Sequence, residues 1–342
     1  MSQSSEFSIQ RAHHIEEIGQ PQWDRFAVGR PFASYRWMRL GETVMADSAP
    51  TYVTLSRDGQ PVAAASFWRV TDEPLPLPPL VRTPVAALLR RRPLLICRAP
   101  LANWIGMLLP DTPSLRSAAR AVLHAEGLRL LQETRGSYLL FDFIDIPDLD
   151  WPGIAVASVS DAGTRLAIQW DTFDDYLTHT DKRGRQHYKR IQREAAELGL
   201  EISQHTSVAN VDEAILLIRA EERKFKTAPN PWMRPLLENF AQVDGIWQEV
   251  RQRGRLVGCG LLLEDNGVML ATALGLADVP YAYFLLIYAC LQNAIQRRVK
   301  TLRLGSGAYD VKRRLGCELE SNNNIAFDAQ GRIFRQLAKW LT

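Results

Sequence analysis

One short stretch near the end of the chain, Lys300–Gly316, combines a backbone turn with several ionisable side chains. Leu302 and Leu304 alternate with other residues, which predicts a short strand that leaves the core. The strand runs into the Gly305–Gly307 turn, where backbone N–H groups can approach a ligand closely because glycine has no side chain. Ionisable residues follow the turn: Tyr309, Asp310, Lys312, Arg313 and Arg314. The stretch suits an anionic acyl donor, and it equally suits a turn that leads into a solvated basic helix.

The composition is that of a soluble globular protein, with 46% hydrophobic and 23% charged residues. The 342 residues are enough for two domains of roughly 150 residues each. The formal charge of +3 and the pI near 8.7 are too small to indicate a nucleic-acid-binding protein, and they fit anionic small-molecule ligands. The four cysteines are scattered, without a CxxC pair or a nearby histidine, so no metal site and no disulfide framework is predicted.

The sequence shows no signal for export or for membrane insertion. Residues 1–8 lack a basic region followed by an apolar run. The longest apolar runs, such as residues 283–291, are far shorter than the ~20 residues that span a bilayer. We therefore expect a cytoplasmic protein without an integral membrane segment, and the sequence does not indicate its oligomeric state.

The two halves of the chain repeat the same order of predicted elements: helix, antiparallel hairpin, insertion or strand, long helix, strand. The hairpin around Gly59 corresponds to the hairpin around Gly254, and the helix–strand pair 114–145 corresponds to 281–305. The pattern predicts an α/β protein with mixed sheets, built as two tandem units packed around a central cleft. The first unit is 1–165, with a Pro/Arg-rich insertion at about 73–100; the second is 166–342 and carries the Gly305–Gly316 motif. Coincidence between two ordinary α/β segments is the alternative to duplication.

This order of elements resembles the GNAT acyltransferase unit, and two units in tandem resemble the Fem-type branch and the cellulose-biosynthesis-protein-like acyltransferases. Residues 185–199 are similar to the family's basic helix that ends in a glycine before a strand. Residues 281–298 followed by 304–316 are similar to its terminal aromatic-x-x-Lys-x-x-aromatic/Leu-Gly signature. In the first half, Ala99–Gly106 is the segment that matches beyond element order. The resemblance implies a GNAT fold, acyl transfer to an amine, and acyl-CoA or aminoacyl-tRNA as co-substrate, with no permanently bound cofactor.

The sequence departs from ordinary acetyl-CoA-dependent GNATs at one loop. Those proteins carry Arg/Gln-x-x-Gly-x-Gly/Ala before the long helix, where backbone N–H groups and the helix N-terminus bind the pyrophosphate. The corresponding stretch here, 274–281, contains only Gly275. Binding of CoA in the standard manner is therefore in question, and the Fem-type relatives, some of which use aminoacyl-tRNA, share this feature.

Acyl transfer to an amine requires a neutral nucleophile, a polarised carbonyl and a proton source for the leaving group. The resemblance and its positive charge make Lys312 the candidate for polarising the carbonyl. Tyr309 is a candidate proton donor, and Asp310 is a candidate acceptor of the amine proton. Glu222, or its neighbour Glu221, is the candidate general base. Each has a structural alternative: a surface lysine, a tyrosine that caps the core, and solvated carboxylates beside basic neighbours.

The candidate residues for binding the substrate or donor are in four regions of the chain. They are Gly305, Ser306, Gly307, Tyr281, Tyr283, Arg185, Lys189, Asn103 and Trp104. On a helix, Arg185, Lys189 and Arg193 form one cationic stripe, suited to tRNA phosphates, the 3′-phosphate of CoA or an acidic acceptor, or simply to solvent. Arg90–Arg92 could touch a membrane surface or another subunit, or lie in a mobile loop.

The sequence thus favours an N-acyltransferase that moves an acyl or aminoacyl group from a thioester or tRNA ester to an amine. The acceptor would be a small-molecule or peptidyl amine, and tRNA or an acyl carrier protein are the macromolecular partners to consider. The alternative is a non-catalytic GNAT-like module that binds a peptide, glycan or lipid precursor. The absent glycine loop favours the module, and the intact Tyr309-x-x-Lys312-x-x-x-Gly316 spacing favours the enzyme.

Overall fold

The computed structural model describes residues 7–75, 79–145, 148–151, 154–158 and 161–329. The chain divides into two compact units. One comprises Met1–Ser160 together with Ser321–Thr342, and the other comprises Asp161–Glu320. No helix in the described ranges has both the length and the apolar composition needed to cross a membrane.

The first unit contains four helices and nine strands among its described residues. In chain order they are β1 (Ser8–Ala12), α1 (Gln20–Ala27), α2 (Tyr35–Val44), β2 (Pro50–Arg57), β3 (Gln60–Val70), α3 (Pro79–Arg91), β4 (Leu94–Ala99), β5 (Trp104–Ile105), β6 (Met107–Leu108), α4 (Pro113–Glu133), β7 (Leu139–Ile144) and β8 (Ala155–Ser158). Its sheet has the order β1-β2-β3-β4-β7-β16-β8, where β16 (Asn324–Asp328) is the last strand described; β5 pairs with β4 and β6 with β3. One core of apolar side chains from the sheet and α4 supports this unit.

The second unit contains the remaining elements. They are β9 (Thr164–Ala167), α5 (Phe173–His179), α6 (Lys182–Glu197), β10 (Leu200–His205), α7 (Val211–Lys224), α8 (Met233–Asn239), β11 (Ile246–Gln252), β12 (Arg255–Asp265), β13 (Val268–Leu276), α9 (Ala282–Gln296), β14 (Thr301–Gly305), α10 (Tyr309–Arg314) and β15 (Glu318–Leu319). Its sheet has the order β10-β11-β12-β13-β14-β9-β15. Helix α9 is buried along most of its length and contributes to both hydrophobic clusters of the unit.

Seven strands of the first sheet correspond in order to the seven strands of the second, as the predicted duplication requires, whereas β5 and β6 have no counterpart among the described residues. Each sheet has one parallel pair, β4 with β7 and β13 with β14, among otherwise antiparallel neighbours. The matching hairpins also share a turn: Asp58 and Gly59 in the first unit, and Arg253 and Gly254 in the second, all have positive φ. Two successive residues with positive φ make the primed turn that fits the twist of a hairpin.

In each sheet, the strand that pairs with β14 or β7 on the side away from the parallel partner is distant from it in sequence. Strand β9, at the start of the second unit, pairs antiparallel with β14, and β16, which follows the second unit, pairs antiparallel with β7. The sequence places the boundary at 165/166 and the end of the chain in the second unit. In the structure the division falls at Ser160/Asp161, and the chain returns to the first sheet after Glu320.

The segment 73–100, interpreted from the sequence as an insertion, contains helix α3 and the central strand β4. All six residues of Leu94–Ala99 are buried, and β4 pairs with both β3 and β7. A strand covered on both faces is an unbroken apolar run rather than an alternating one. The prolines and arginines that precede β4 made the whole segment look like a loop insertion, so the strand was not predicted from the sequence.

Candidate active site

The parallel strands β13 and β14 pair over only three residues, and their separation marks the C-terminal edge of the second sheet. Val268–Leu270 pair with Thr301–Arg303, although β13 continues to Leu276. The register against β12 shifts between Cys259 and Leu261, and Ala273 has a φ of 53°. A bulge of this kind bends the strand and ends regular pairing.

The Gly305–Gly307 turn follows β14 and is held by Lys312. Gly305 and Gly307 have φ values of 65° and 79°, a region in which glycine is not strained. The Nζ of Lys312 donates to the carbonyl oxygens of Leu304, Gly305 and Ser306, at 2.8, 3.0 and 2.9 Å. The side chain is buried, and this burial lowers the pKa of Lys312 to about 8, so the group is mainly an ammonium at neutral pH. All three N–H donors of the ammonium are used by the turn.

The residues between the turn and Lys312 form the start of the short helix α10 rather than a flexible loop. The hydroxyl of Tyr309 donates to the carbonyl of Ala162 at 2.9 Å. Asp310 is exposed, and its carboxylate lies 3.4 Å from the guanidinium of Arg313. Tyr309 therefore anchors α10 to the segment before β9, while Asp310 faces solvent.

A cavity of about 1,100 Å³ lies within the second unit, bounded by β9, α5, α6, α9 and α10. The sequence predicts a site in a cleft between the halves, whereas every residue that lines this cavity belongs to one unit. The cationic side chains along it are Arg183, Arg190, Arg313 and Arg314, and the aromatic ones are Trp170, Tyr176, Phe284 and Tyr288. Asp181 and Glu318 are the carboxylates in its lining. Four guanidinium groups beside aromatic rings suit a ligand that carries both phosphate and an apolar or ring-containing part.

His187 is the cavity residue best suited to proton transfer. Its Nδ1 lies 3.0 Å from the hydroxyl oxygen of Tyr288, and its ring meets Phe284 edge-on, with centroids 4.8 Å apart. Burial lowers the pKa of His187 below the 6.5 of a free imidazole, and the positive charges of Arg190 and Arg314 lower it further. Burial also raises the pKa of Tyr288, so its hydroxyl stays protonated. A neutral imidazole therefore lies among arginines at neutral pH.

The sequence interpretation missed His187 because it followed a different face of the same helix. On α6, Arg183, His187 and Arg190 are spaced four and three residues apart and line the cavity together. In the predicted stripe, Arg185 instead donates to the carbonyls of Thr178 and Thr180. Lys189 is exposed and is not among the residues that line the cavity. The spacing of Arg183, His187 and Arg190 in the sequence could have predicted that these three side chains share one face of the helix.

The tyrosines at the start of α9 have different surroundings. Tyr281 caps the helix with a φ of 69°, and a hydrogen bond with Glu194 of α6 raises its pKa. The hydroxyl oxygen of Tyr283 is buried and has no hydrogen-bond partner among the described residues. Burial raises the pKa of Tyr283 as well.

The loop before α9 has no glycine available to a phosphate. A Cβ added to Gly275 would lie 2.8 Å from the Sγ of Cys259 and 2.9 Å from the backbone nitrogen of Ile218. The glycine thus lets α7 pack directly against β13. Its space is already filled, which agrees with the departure from the CoA-binding loop noted in the sequence.

The predicted general base is held in an ion pair away from the cavity. Glu222 accepts two hydrogen bonds from Arg219, at 2.6 and 2.8 Å, and one from the backbone of Asn230 at 3.1 Å. Its neighbour Glu221 is buried, and this burial raises its pKa against the opposing charge of Lys224. Glu222 thereby joins the end of α7 to the segment that leads into α8.

Asn103 and Trp104 lie in the first unit. Asn103 has a φ of 48°, and its carbonyl accepts a hydrogen bond from the side chain of Asn322 at 3.3 Å. The ring of Trp104 meets Phe32 edge-on. The hydrogen bond joins the start of β5 to the segment that leads into β16, and the ring contact joins β5 to the segment before α2.

No family model and no curated protein matches the chain. Among solved structures, FemX matches with a TM-score of 0.64 and 10% identity over 96% of this chain and 100% of FemX. A tandem GNAT protein from the clavulanic acid biosynthesis pathway matches with a TM-score of 0.56 and 13% identity, over 96% and 99%. The C-terminal domain of a putative lysylphosphatidylglycerol synthetase from Agrobacterium fabrum matches with a TM-score of 0.53 and 12% identity, over 92% and 93%.

These similarities extend over nearly the whole chain, and they establish the fold. The protein has the tandem GNAT fold with mixed α/β sheets, as the resemblance in the sequence predicted. At 10–13% identity these similarities do not assign a role to any residue of this chain. Residue roles must be argued from the geometry of the cavity.

Proposed function

We propose that the protein is an N-acyltransferase that moves an acyl or aminoacyl group from a phosphate-bearing donor to an amine. The observation that carries the proposal is the cavity of the second unit, where Arg183, Arg190, Arg313 and Arg314 line the same space as the neutral imidazole of His187. The arginines would bind the phosphates of acyl-CoA, of an acyl carrier's prosthetic group or of the tRNA 3′ end. The aromatic rings would hold the adjoining part of the donor.

In the reaction we propose, the amine nitrogen forms a bond to the acyl carbon, and the bond from that carbon to sulfur or to the ester oxygen breaks. His187, with its Nδ1–H donating to Tyr288, accepts the amine proton at Nε2 and returns it to the leaving group. The sequence-based assignment of Lys312 to the acyl carbonyl stays a prediction. That role competes with the hydrogen bonds of Lys312 to the turn. The roles expected for Tyr309, Asp310 and Glu222 also stay predictions, and each of these side chains has a contact of its own.

Binding and single-turnover transfer with each donor test the proposal. Acyl-CoA and aminoacyl-tRNA are titrated at about 50 and about 200 mM salt, because tRNA binding falls steeply over that range. Arg190→Gln and Arg314→Gln should each weaken donor binding by about tenfold, since each removes a charge-assisted hydrogen-bond donor. Arg253→Gln, in an exposed hairpin turn, is the control. Unchanged binding in both cavity variants would contradict the proposal.

A non-catalytic binding module is the second candidate, and Gly275 favours it. The space at this glycine is occupied by α7, so the usual phosphate loop is absent. A module would bind one of the donors through the same arginines but would transfer nothing to any amine. Turnover that depends on His187 separates the two candidates.

A further inference from the structure

Helix α3 exposes apolar side chains on the face where a surface helix ordinarily carries polar ones. Leu80 is 92% exposed and Leu88 is 48% exposed. Together with Pro84, Ala87 and Arg91 they recur three or four positions apart, which places them on one face of the helix. Leu89, on the opposite side, is buried and fixes the helix to the first unit.

The chain segment that carries this face has no acidic residues. Residues 74–110 contain no Asp or Glu. Arg90, Arg91 and Arg92 are exposed at the C-terminal end of α3. Arg98, farther along, is bound inside the unit by Glu73, with both nitrogen–oxygen distances at 2.7 Å. Three exposed positive charges therefore follow one another at the C-terminal end of the apolar stripe.

We propose that α3 docks the protein on the surface of an anionic lipid bilayer, a property beyond the proposed transfer reaction. Leu80, Ala87 and Leu88 enter the boundary between headgroups and acyl chains, and Arg90–Arg92 lie against the lipid phosphates. An apolar stripe next to a cluster of arginines matches the layers of a bilayer surface, where hydrocarbon lies directly below anionic phosphates. The buried Leu89 keeps the helix attached to the fold while its other face is in lipid.

Flotation of the purified full-length protein with vesicles tests this inference. The probes are vesicles of phosphatidylcholine alone and of phosphatidylcholine with phosphatidylglycerol, with no acyl donor present. We expect the protein to float with the anionic vesicles and to remain behind with the neutral ones. The readout is independent of the transfer reaction, so a failure here and a failure of the proposed function are distinguishable.

Two pairs of substitutions separate the contributions of the apolar and the charged side chains to vesicle binding. Leu80→Ser with Leu88→Ser should lower the partition onto anionic vesicles at least about tenfold, because both leucines leave the hydrocarbon boundary. Arg90→Gln with Arg91→Gln should lower it about 30-fold. The matched controls are Leu216→Ser, which replaces a leucine on α7 that is 70% exposed, and Arg253→Gln with Arg255→Gln, which remove two exposed charges from the β11–β12 hairpin.

Three results would overturn the inference. The protein remains unbound to anionic vesicles, or the controls reduce binding as much as the α3 variants do. The third result is a dimer in sedimentation that becomes a monomer when Leu80→Ser and Leu88→Ser are combined. That result would show that a second copy of the chain, and not lipid, covers the stripe. Normal thermal unfolding of each variant shows that the substitutions act at the surface.

Discussion

His187 connects the charge of the cavity to the proposed chemistry. Its pKa is lowered by burial and by Arg190 and Arg314, and only the neutral ring can accept a proton. The rate of transfer should therefore fall as the pH drops through the pKa of His187, below 6.5. Arg314→Gln removes one of the charges that favour the neutral ring, so we expect the acidic limb of kcat/KM against pH to move to higher pH.

His187→Gln is the companion variant for this pH profile. It should remove the acidic limb and lower the rate by about a hundredfold or more, as the loss of a general base does. Arg253→Gln should leave the limb where it is. An acidic limb unchanged in both His187→Gln and Arg314→Gln would assign the proton transfer to another group.

Asp142, in the first unit, is a buried carboxyl with an unusual proton affinity. Burial raises its pKa to about 6, although Arg98, 3.6 Å away, opposes this change. The pKa of Asp142 in the folded chain lies above the ordinary 3.8, so the protonated carboxyl favours folding. Its contribution to the unfolding free energy is fully present below pH 3.8 and is lost as the pH rises through about 6. Asparagine cannot ionise. The unfolding free energy of Asp142→Asn minus that of wild type should therefore rise by about 2 kcal/mol from pH 4 to pH 7.5.

Urea unfolding at the two pH values measures this difference. A constant difference for Asp142→Asn would show that the carboxyl titrates alike in the folded and unfolded chain.

At the scale of elements, Lys312 joins α10 to the end of β14. Lys312→Met removes the donor from the carbonyls of Leu304, Gly305 and Ser306, so we expect a loss of about 3 kcal/mol in unfolding free energy. Lys300→Met, at an exposed position before β14, is the control. If Lys312→Met unfolds like wild type but transfers no acyl group, the lysine acts on the substrate, as the resemblance implies.

Gly275 shows how closely α7 packs on β13. Gly275→Ala should destabilise the second unit by about 2 kcal/mol, because the added carbon meets the backbone of α7 and the Sγ of Cys259. Gly260→Ala on β12 is the matched control, since the nearest atom to its Cβ would be 3.9 Å away. Equal stability of the two variants, measured by urea unfolding, would show that α7 can shift at no cost.

At the scale of the whole molecule, the first sheet depends on a strand that follows the second unit. Ala326 of β16 is fully buried in the core of the first unit. Ala326→Asp should therefore increase amide exchange in β7 and leave the strands of the second sheet protected, as measured by hydrogen exchange. Leu319→Asp, on an exposed position of β15, should leave β7 unchanged. Faster exchange in β10–β14 with normal exchange in β7 would contradict this dependence.

Local pattern predicted most helices and hairpins of this chain, because each is specified by neighbours a few residues apart. The helices α4, α6, α7 and α9 and the hairpin with Asp58-Gly59 follow from periodicity and turn chemistry. Strand β4 did not, since a buried central strand lacks the alternation that identifies one. For the site, the 300–316 stretch stays a prediction, and its residues 311 and 313–316 line the cavity.

The sequence by itself determined most of the helices and hairpins and indicated the duplication, because hydrophobic periods and turn residues act over short distances. The tandem GNAT fold was expected from the resemblance of its motifs and element order to that family. Tertiary structure alone decided the pairing of β9 with β14 and of β16 with β7, the burial of Lys312 under three carbonyls, and the convergence of His187 with Tyr288, which is 101 residues away. These depend on which surfaces pack together. A side chain's partners, and with them its pKa and its availability to a ligand, are set by residues that are distant in sequence.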